Sequence, residues 1–264
     1  MNQIDLILHS FKKREKIQIV RKILKDNNNN FCFELGSAKG TLSYALRELG
    51  GKWISADIDW MNVIATKYAI NDNVLLVNPL KLPFKDKMFD VVVCIDFLEH
   101  INDDVECIKE LARIVKLNGK IIISTPTIGS RLILNKIKQF IGLTKEKYGH
   151  VREGYSKEHL IHLLNTANFS MNKVYYYSYF LTECIEMLLN RIYIMINKDK
   201  EKKRDGFISP ANIDEFQKHK IAFKIYKFFY PVLWWVSRLD YLLKSLGAYA
   251  IIIEAKSKFY MEYN

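Results

Sequence analysis

Short, unbroken apolar runs recur along the first two-thirds of the chain, separated by amphipathic stretches with helical spacing. The runs at 31–35, 52–57, 73–77, 89–95 and 120–125 read as strands, and 41–49, 60–69 and 104–116 between them as helices. VVVCI and IIIS show no polar alternation, as in parallel strands covered by helices on both faces. Strands alternating with helices predict a doubly wound α/β sheet. Ligands of such sheets bind beyond the carboxyl ends of the strands, where Glu34, Asp57, Asn78 and Asp96 fall. A helix over 3–25, with Ile4, Leu8, Ile17, Val20 and Leu24 on its apolar side, precedes the first strand across an Asn-rich turn at 27–30. A helix at 156–167, a strand at 170–179 and a closing edge strand at 249–256 follow. Gly50-Gly51 and Asn118-Gly119 are expected to punctuate helix ends. No internal repeat is visible.

The first strand, FCFEL, ends in an acid and runs straight into a loop with Gly36, Ala38 and Gly40 at alternate positions. Only small residues let a chain turn that tightly and bring its backbone against a ligand. The second strand ends in Asp57, about 20 residues on, where a ribose-binding carboxylate belongs. A dinucleotide loop has G-x-G-x-x-G, to wrap a pyrophosphate. Here position 41 is Thr, and the spacing is G-x-G-x-G with Ala in the middle, which disfavours an NAD-dependent reductase.

That spacing resembles the first motif of class I S-adenosylmethionine-dependent methyltransferases, whose cofactor carries an adenosine and an amino acid but no phosphate. Three further stretches resemble the same family in order: NPLKLPFKDKMFDVVVCIDFLEHI (78–101), GKIIISTP (119–126) and GHVREGYSKEHLIHLLNTANF (149–169). The resemblance covers roughly 31–170 and is to the broad group that contains quinone-biosynthesis and sugar or polyketide methyltransferases. It implies a Rossmann-like, mostly parallel seven-stranded sheet whose last strand is antiparallel; in the family the last two strands form a hairpin, whereas here some seventy residues, read as a helical insertion, come before the last strand. It implies S-adenosylmethionine as cofactor and direct displacement of the methyl group onto an acceptor.

By the same resemblance, the backbone of Gly36, Ser37, Ala38 and Gly40 meets the methionine end of the cofactor, and Glu34 orients its amino group, directly or through water. Asp57 accepts from both ribose hydroxyls beside Ile58, with Asp59 either sharing that work or starting the next helix. Asn78, where the family more often has Asp, faces the adenine amine with Pro79 and Leu80; an amide still offers a carbonyl acceptor. Leu80 and Leu82 read either as adenine-flanking surface or as core. Asp96, Glu99 and His100 lie at the reacting end. His100 is a base or the holder of a turn. His150, near Arg152 and Tyr155, is a base, a substrate contact or a loop anchor.

Composition narrows this further. At 264 residues, 49% apolar, the chain suits one core with an elaboration: a helical segment (1–30), the methyltransferase core (31–180), a helical lid (181–247) and a final strand and tail (248–264). Four cysteines without C-x-x-C pairing read as core residues in a reducing compartment. No metal-ligand spacing is found, so no metal is expected. The opening residues reach charge too soon for a secretory h-region, which with the cysteines gives a cytoplasmic expectation.

The fourth strand is followed by IDFLEH, not an N-P-P-Y-like tetrapeptide, and no cysteine stands at a strand end beside Pro or Asn. Both nucleobase-methylating devices are therefore disfavoured. The net charge of +11 gathers at 12–25, 131–152 and 198–204 without interleaved aromatics, so solvated surface is preferred over an RNA face. An RNA methyltransferase and a non-catalytic scaffold are the alternatives to a small-molecule, lipid-linked or glycan-linked acceptor. Residues 221–247 are dense in aromatics but too short to span a bilayer, and Pro231 is expected to break them. They suit a lid, a dimer contact or a peripheral membrane contact at the inner face, with 185–196 as an antiparallel partner.

Overall fold

The computed structural model describes residues 9–128, 134, 137–138, 140–196 and 220–258. Strands β1 (Phe31–Leu35), β2 (Lys52–Asp57), β3 (Val74–Leu76), β4 (Phe89–Ile95) and β5 (Val115–Pro126) are parallel to one another. β6 (Phe169–Tyr177) and β7 (Ala250–Ser257) complete a seven-stranded sheet of order β3-β2-β1-β4-β5-β7-β6, with β7 antiparallel to both neighbours. The expected architecture is the one found, except that the closing strand is not an edge: β7 inserts between β5 and β6, where it pairs on both sides, and β6 is the edge.

Period-two alternation on doubly covered strands explains the unbroken apolar runs. Phe33, Leu35, Val92, Cys94, Ile121 and Ile123 face one way, towards α4 (Asp104–Ile114) and α5 (Lys157–Thr166). Cys32, Val91, Val93 and Ile122 face the other way, towards α1 (Phe11–Ile23) and α2 (Thr41–Arg47). Each such fully buried Val or Ile contributes about 1.5–3 kcal/mol. Helix α3 (Trp60–Ile70) packs on α2 and begins at Asp59, whose Oδ1 accepts from Asn62 N at 3.0 Å. Helix-starting is thus the role the structure gives Asp59.

Three other sequence expectations change. The first helix is described from Phe11, and Ile4 and Leu8 lie outside the described residues. Asn118-Gly119 does not end a helix: α4 stops at Ile114 and the chain enters β5 at once, pairing Val115 with Phe89. A register shift then takes up the extra residues around Asn118, whose φ is +63°.

Pro231 does not break its helix. Helix α7 (Lys220–Arg238) runs through it, because one missing N–H is outweighed by packing. Tyr226, Tyr230, Leu233 and Trp234 of α7 seat on Phe11 of α1 and on Ile185 and Leu189 of α6 (Phe180–Ile196). A 3-10 segment, Leu239–Leu246, follows. Its Asp240 carboxylate accepts from Leu181 N at 2.7 Å and Thr182 N at 2.8 Å, capping the start of α6. These helices form a cap across the carboxyl ends of the strands. No described helix is long and apolar enough to cross a membrane.

Candidate active site at the carboxyl ends of the strands

The loop after β1 is built for glycine. Gly36 has φ +88°, and a Cβ there would lie 2.8 Å from the Phe97 ring; Gly40 has φ +76°, and its Cβ would lie 2.7 Å from Ala69 Cβ. Gly36 N and Ser37 N both donate to Ala56 O, at 2.9 and 3.1 Å, folding the loop back over β2. Asp57 locks it from the other side. Its Oδ2 accepts from Ala38 N at 2.8 Å, and its Oδ1 accepts from Asp59 N at 3.0 Å and Asn62 Nδ2 at 3.1 Å. Burial raises the Asp57 carboxyl above its ordinary value against these donors.

Glu34 is fully buried behind the loop. Its Oε2 accepts from Ser55 Oγ at 2.6 Å, and Arg47 Nη1 donates to the same hydroxyl at 3.0 Å. Burial raises its carboxyl, opposed by the Ser43 and Ser55 hydroxyls. The structure therefore gives Glu34 a bracing position between β1, β2 and α2. On the far side, Ile58 is exposed, Pro79 is buried and Leu80 packs partly against the core with Leu82. Asn78 is exposed, and its Oδ1 accepts from Leu80 N at 2.9 Å.

The end of β4 gathers what the sequence scatters. Asp96 takes φ +49°, accepts from Ser124 Oγ at 2.9 Å and pairs with Lys16 of α1. Burial pushes its carboxyl up, but Lys16 outweighs this and holds it down. The 3-10 turn Leu98–His100 follows. Glu99 is buried there, and neither carboxylate oxygen has a hydrogen-bond partner of ordinary geometry. Burial, then the nearby Asp96 charge, lift its carboxyl to about 8. His100 Nδ1 lies 2.9 Å from Gly149 O. The His150 ring meets the His100 ring edge-on, with centroids 4.7 Å apart. Burial, then His100, hold His150 down to about 4.

Arg152 and Tyr155 fasten this arrangement. Arg152 Nη2 donates to Ile101 O at 2.8 Å and Asn102 O at 2.9 Å, and Arg152 also pairs with Asp104. The fully buried Tyr155 donates to Asp104 Oδ2 at 2.7 Å. Val151 N donates to Glu99 O at 2.9 Å. His150 is thereby strapped over His100 from fifty residues away.

Charge from α1 and the cap also reaches the site. Lys12 pairs with Glu183 of α6 at 2.7 Å, and Lys138 pairs with the same carboxylate. Lys13 is held down to about 8 by burial, then by Lys16, with Lys39 adding to the effect against Glu186. Sequence reasoning named Glu99 without a role and missed Lys13, Lys16 and Glu183, which no local motif marks. The basic cluster at 198–204 lies outside the described residues, as does part of 131–152.

Residues 33–123 match a family described as "Methyltransferase domain". A ubiquinone biosynthesis O-methyltransferase of Pelagibacter ubique is 30% identical over 128 residues, covering 47% of this chain and 52% of that protein. The chain spans about half the length of the curated relatives it matches. The fold is shared with a SAM-dependent methyltransferase from Archaeoglobus fulgidus (TM-score 0.57, 18% identity, 93% of this chain and 94% of that one). It is also shared with magnesium protoporphyrin IX methyltransferase from Synechocystis with bound SAH (TM-score 0.55, 14% identity, 93% and 85%).

Proposed function

From the class I S-adenosylmethionine-dependent methyltransferase domain that this chain carries at 33–123, we propose that the protein methylates a hydroxyl oxygen of a small, largely apolar acceptor. The observation that carries this reading is the Glu99–His100–His150 group at the end of β4, under a cap lined by Tyr148, Phe180 and Tyr249. The loop of Gly36, Ser37, Ala38 and Gly40 would hold the methionine end of S-adenosylmethionine, Asp57 would accept from its ribose hydroxyls, and Ile58, Asn78, Pro79 and Leu80 would flank its adenine. Lys13 and Lys39 would bring positive charge towards its carboxylate. The cofactor would supply an activated methyl group to the end of β4, near Asp96.

The acceptor oxygen attacks the methyl carbon in line with its bond to sulfur. The new O–C bond forms as the C–S bond breaks, its electron pair stays on sulfur, and S-adenosylhomocysteine leaves. The electrophile is already activated, so the chain's task is approach geometry and exclusion of water. The hydroxyl proton must also depart, and the Glu99–His100–His150 group is the described polar set placed to favour that. The name of the Pelagibacter relative, an O-methyltransferase, agrees with an oxygen acceptor. Lys12, Lys16, Lys138 and Arg152 all sit in ion pairs, which favours a small acceptor over RNA at this mouth.

The outward face of α7 supports a companion reading, a cytoplasmic protein that meets a membrane peripherally. Phe228 and Trp235 are 78% and 66% exposed, and Phe229 and Val232 lie on the same side, with Lys224 and Arg238 towards the ends. Methyl-labelled S-adenosylmethionine, incubated with the protein and a host extract, tests both readings. Label in extractable lipid or small molecules supports the acceptor class, and label in RNA overturns it. Flotation with anionic vesicles that survives Phe228→Ser/Trp235→Ser overturns the membrane contact.

A further inference from the structure

We propose that Glu99, His100 and His150 form a binding site for a divalent first-row transition-metal cation, open on the side of the acceptor. The existence of the site stands on its own geometry, whereas its use in methyl transfer rests on the function proposed above.

One ligand atom from each residue lies within 4.8 Å of the other two, so a single ion can reach all three. Glu99 supplies the independent sign. It is 1% exposed, and neither carboxylate oxygen has a hydrogen-bond partner of ordinary geometry. Burying an ionisable carboxyl without partners costs several kcal/mol. The nearby cation, Lys16, already pairs with Asp96. The neighbouring Thr125 hydroxyl donates to Pro126 O at 3.2 Å. A bound cation would give this carboxylate a partner.

The imidazoles are arranged as ligands. A carbonyl only accepts, so the 2.9 Å contact to Gly149 O places the His100 proton on Nδ1 and leaves a lone pair on Nε2. A backbone carbonyl behind a ligating histidine is the habitual outer support of metal sites. His150 meets the His100 ring edge-on, with centroids 4.7 Å apart, and supplies the second imidazole. The bonds from Val151 N to Glu99 O and from Arg152 to Ile101 O and Asn102 O hold the strap and the turn in one register. The set is therefore rigid before any ion arrives.

Two nitrogens and one carboxylate suit zinc, manganese, iron or cobalt better than magnesium or calcium, which prefer all-oxygen shells. Three protein ligands leave coordination positions open. A hydroxyl bound there loses its proton to solvent more readily, because the ion stabilises the alkoxide or phenolate.

The test uses tag-free, full-length protein stripped with a chelator and titrated with Co2+, followed by the visible ligand-field bands. The expected result is one Co2+ per chain, displaced by Zn2+, with binding at least tenfold weaker in His150→Ala and in Glu99→Gln. Wild type that takes up no more Co2+ than His150→Ala overturns the site, as does uptake through the surface pair His159 and His162. Because a variant may be damaged in folding, thermal midpoints are read with and without Zn2+. The wild type should rise on adding the ion, and an unchanged wild-type midpoint counts against the proposal. Calorimetry with S-adenosylmethionine on the same stripped sample separates the two readings. Loss of cofactor binding sinks the methyltransferase function, and cofactor binding without cobalt binding sinks only the metal site.

Discussion

Glu183→Gln should loosen the cap while leaving the sheet intact. The Glu183 side chain is 3% exposed and is shared by Lys12 and Lys138, whose side chains are 34% and 22% exposed. Burial pushes its carboxyl up, but the two ammoniums outweigh that and hold it down to about 2. The ordinary value is 4.5, so the folded state favours the ionised form by about 3 kcal/mol, at 1.36 kcal/mol per unit. Lys12 is shifted in the matching direction, upward. A depressed carboxyl contributes its stability above the unfolded value and loses it as pH falls through the folded one. The window therefore runs from about pH 4.5 down to about 2. In the Gln variant both lysines can swing towards water, which keeps the cost near the lower end of the 3–5 kcal/mol typical of a broken buried pair. At neutral pH, hydrogen exchange of α1 and α6 amides should accelerate about 100-fold, with β1 and β4 unchanged. In melts, the gap between variant and wild type should close as pH approaches 2. Unchanged exchange in α1 and α6, or a gap that persists at pH 2, would refute the reasoning.

Asp57→Ala should weaken S-adenosylmethionine about 10- to 100-fold in calorimetry, from losing charge-assisted hydrogen bonds worth roughly 1.5–3 kcal/mol. Unaltered affinity would remove Asp57 from the ribose site. Gly36→Ala should both lower stability by about 1–3 kcal/mol and abolish cofactor binding, because a left-handed φ and a 2.8 Å approach to Phe97 must both be relieved. A variant that melts and binds like wild type would show that the loop has slack.

What the sequence made legible is contiguous. The runs in β4 and β5, the alternate small residues at 36, 38 and 40 and the acid at 57 each sit in one window, and each constrains its own backbone. The half of the site proposed for the cofactor is made of such windows. The half proposed for the acceptor is not: His150 meets His100 across fifty residues, Lys16 meets Asp96 across eighty, and no local pattern encodes either meeting. Pro231 and Asn118-Gly119 misled for a related reason. Their local preferences hold in an isolated peptide, but tertiary packing on α1 and pairing with β4 override them. Glu34 has a local position in the motif, but its full burial against Ser55 is set by β2 and α2, which no single window shows.

The cap is stitched down at one short stretch. Ser178 N donates to Glu15 of α1 at 3.1 Å, the Ser178 hydroxyl donates to Glu183 at 2.8 Å, and Tyr249 N donates to Ser178 O at 2.8 Å. Leu181 and Thr182 donate to Asp240. The exit from β6, the start of α6, the end of α7 and the entry to β7 thus converge within six residues. Ser178 has φ +56°, which turns the chain off the sheet and up over the site. An insertion anchored this way can vary in length and surface without disturbing the sheet, because its polar anchors are local and the apolar packing of α7 falls on α1 and α6, not on the strands. That separates two design demands. The loop after β1 must stay glycine-tight for one cofactor, while the cap that faces the acceptor is free to change, and acceptor choice is expected to lie there.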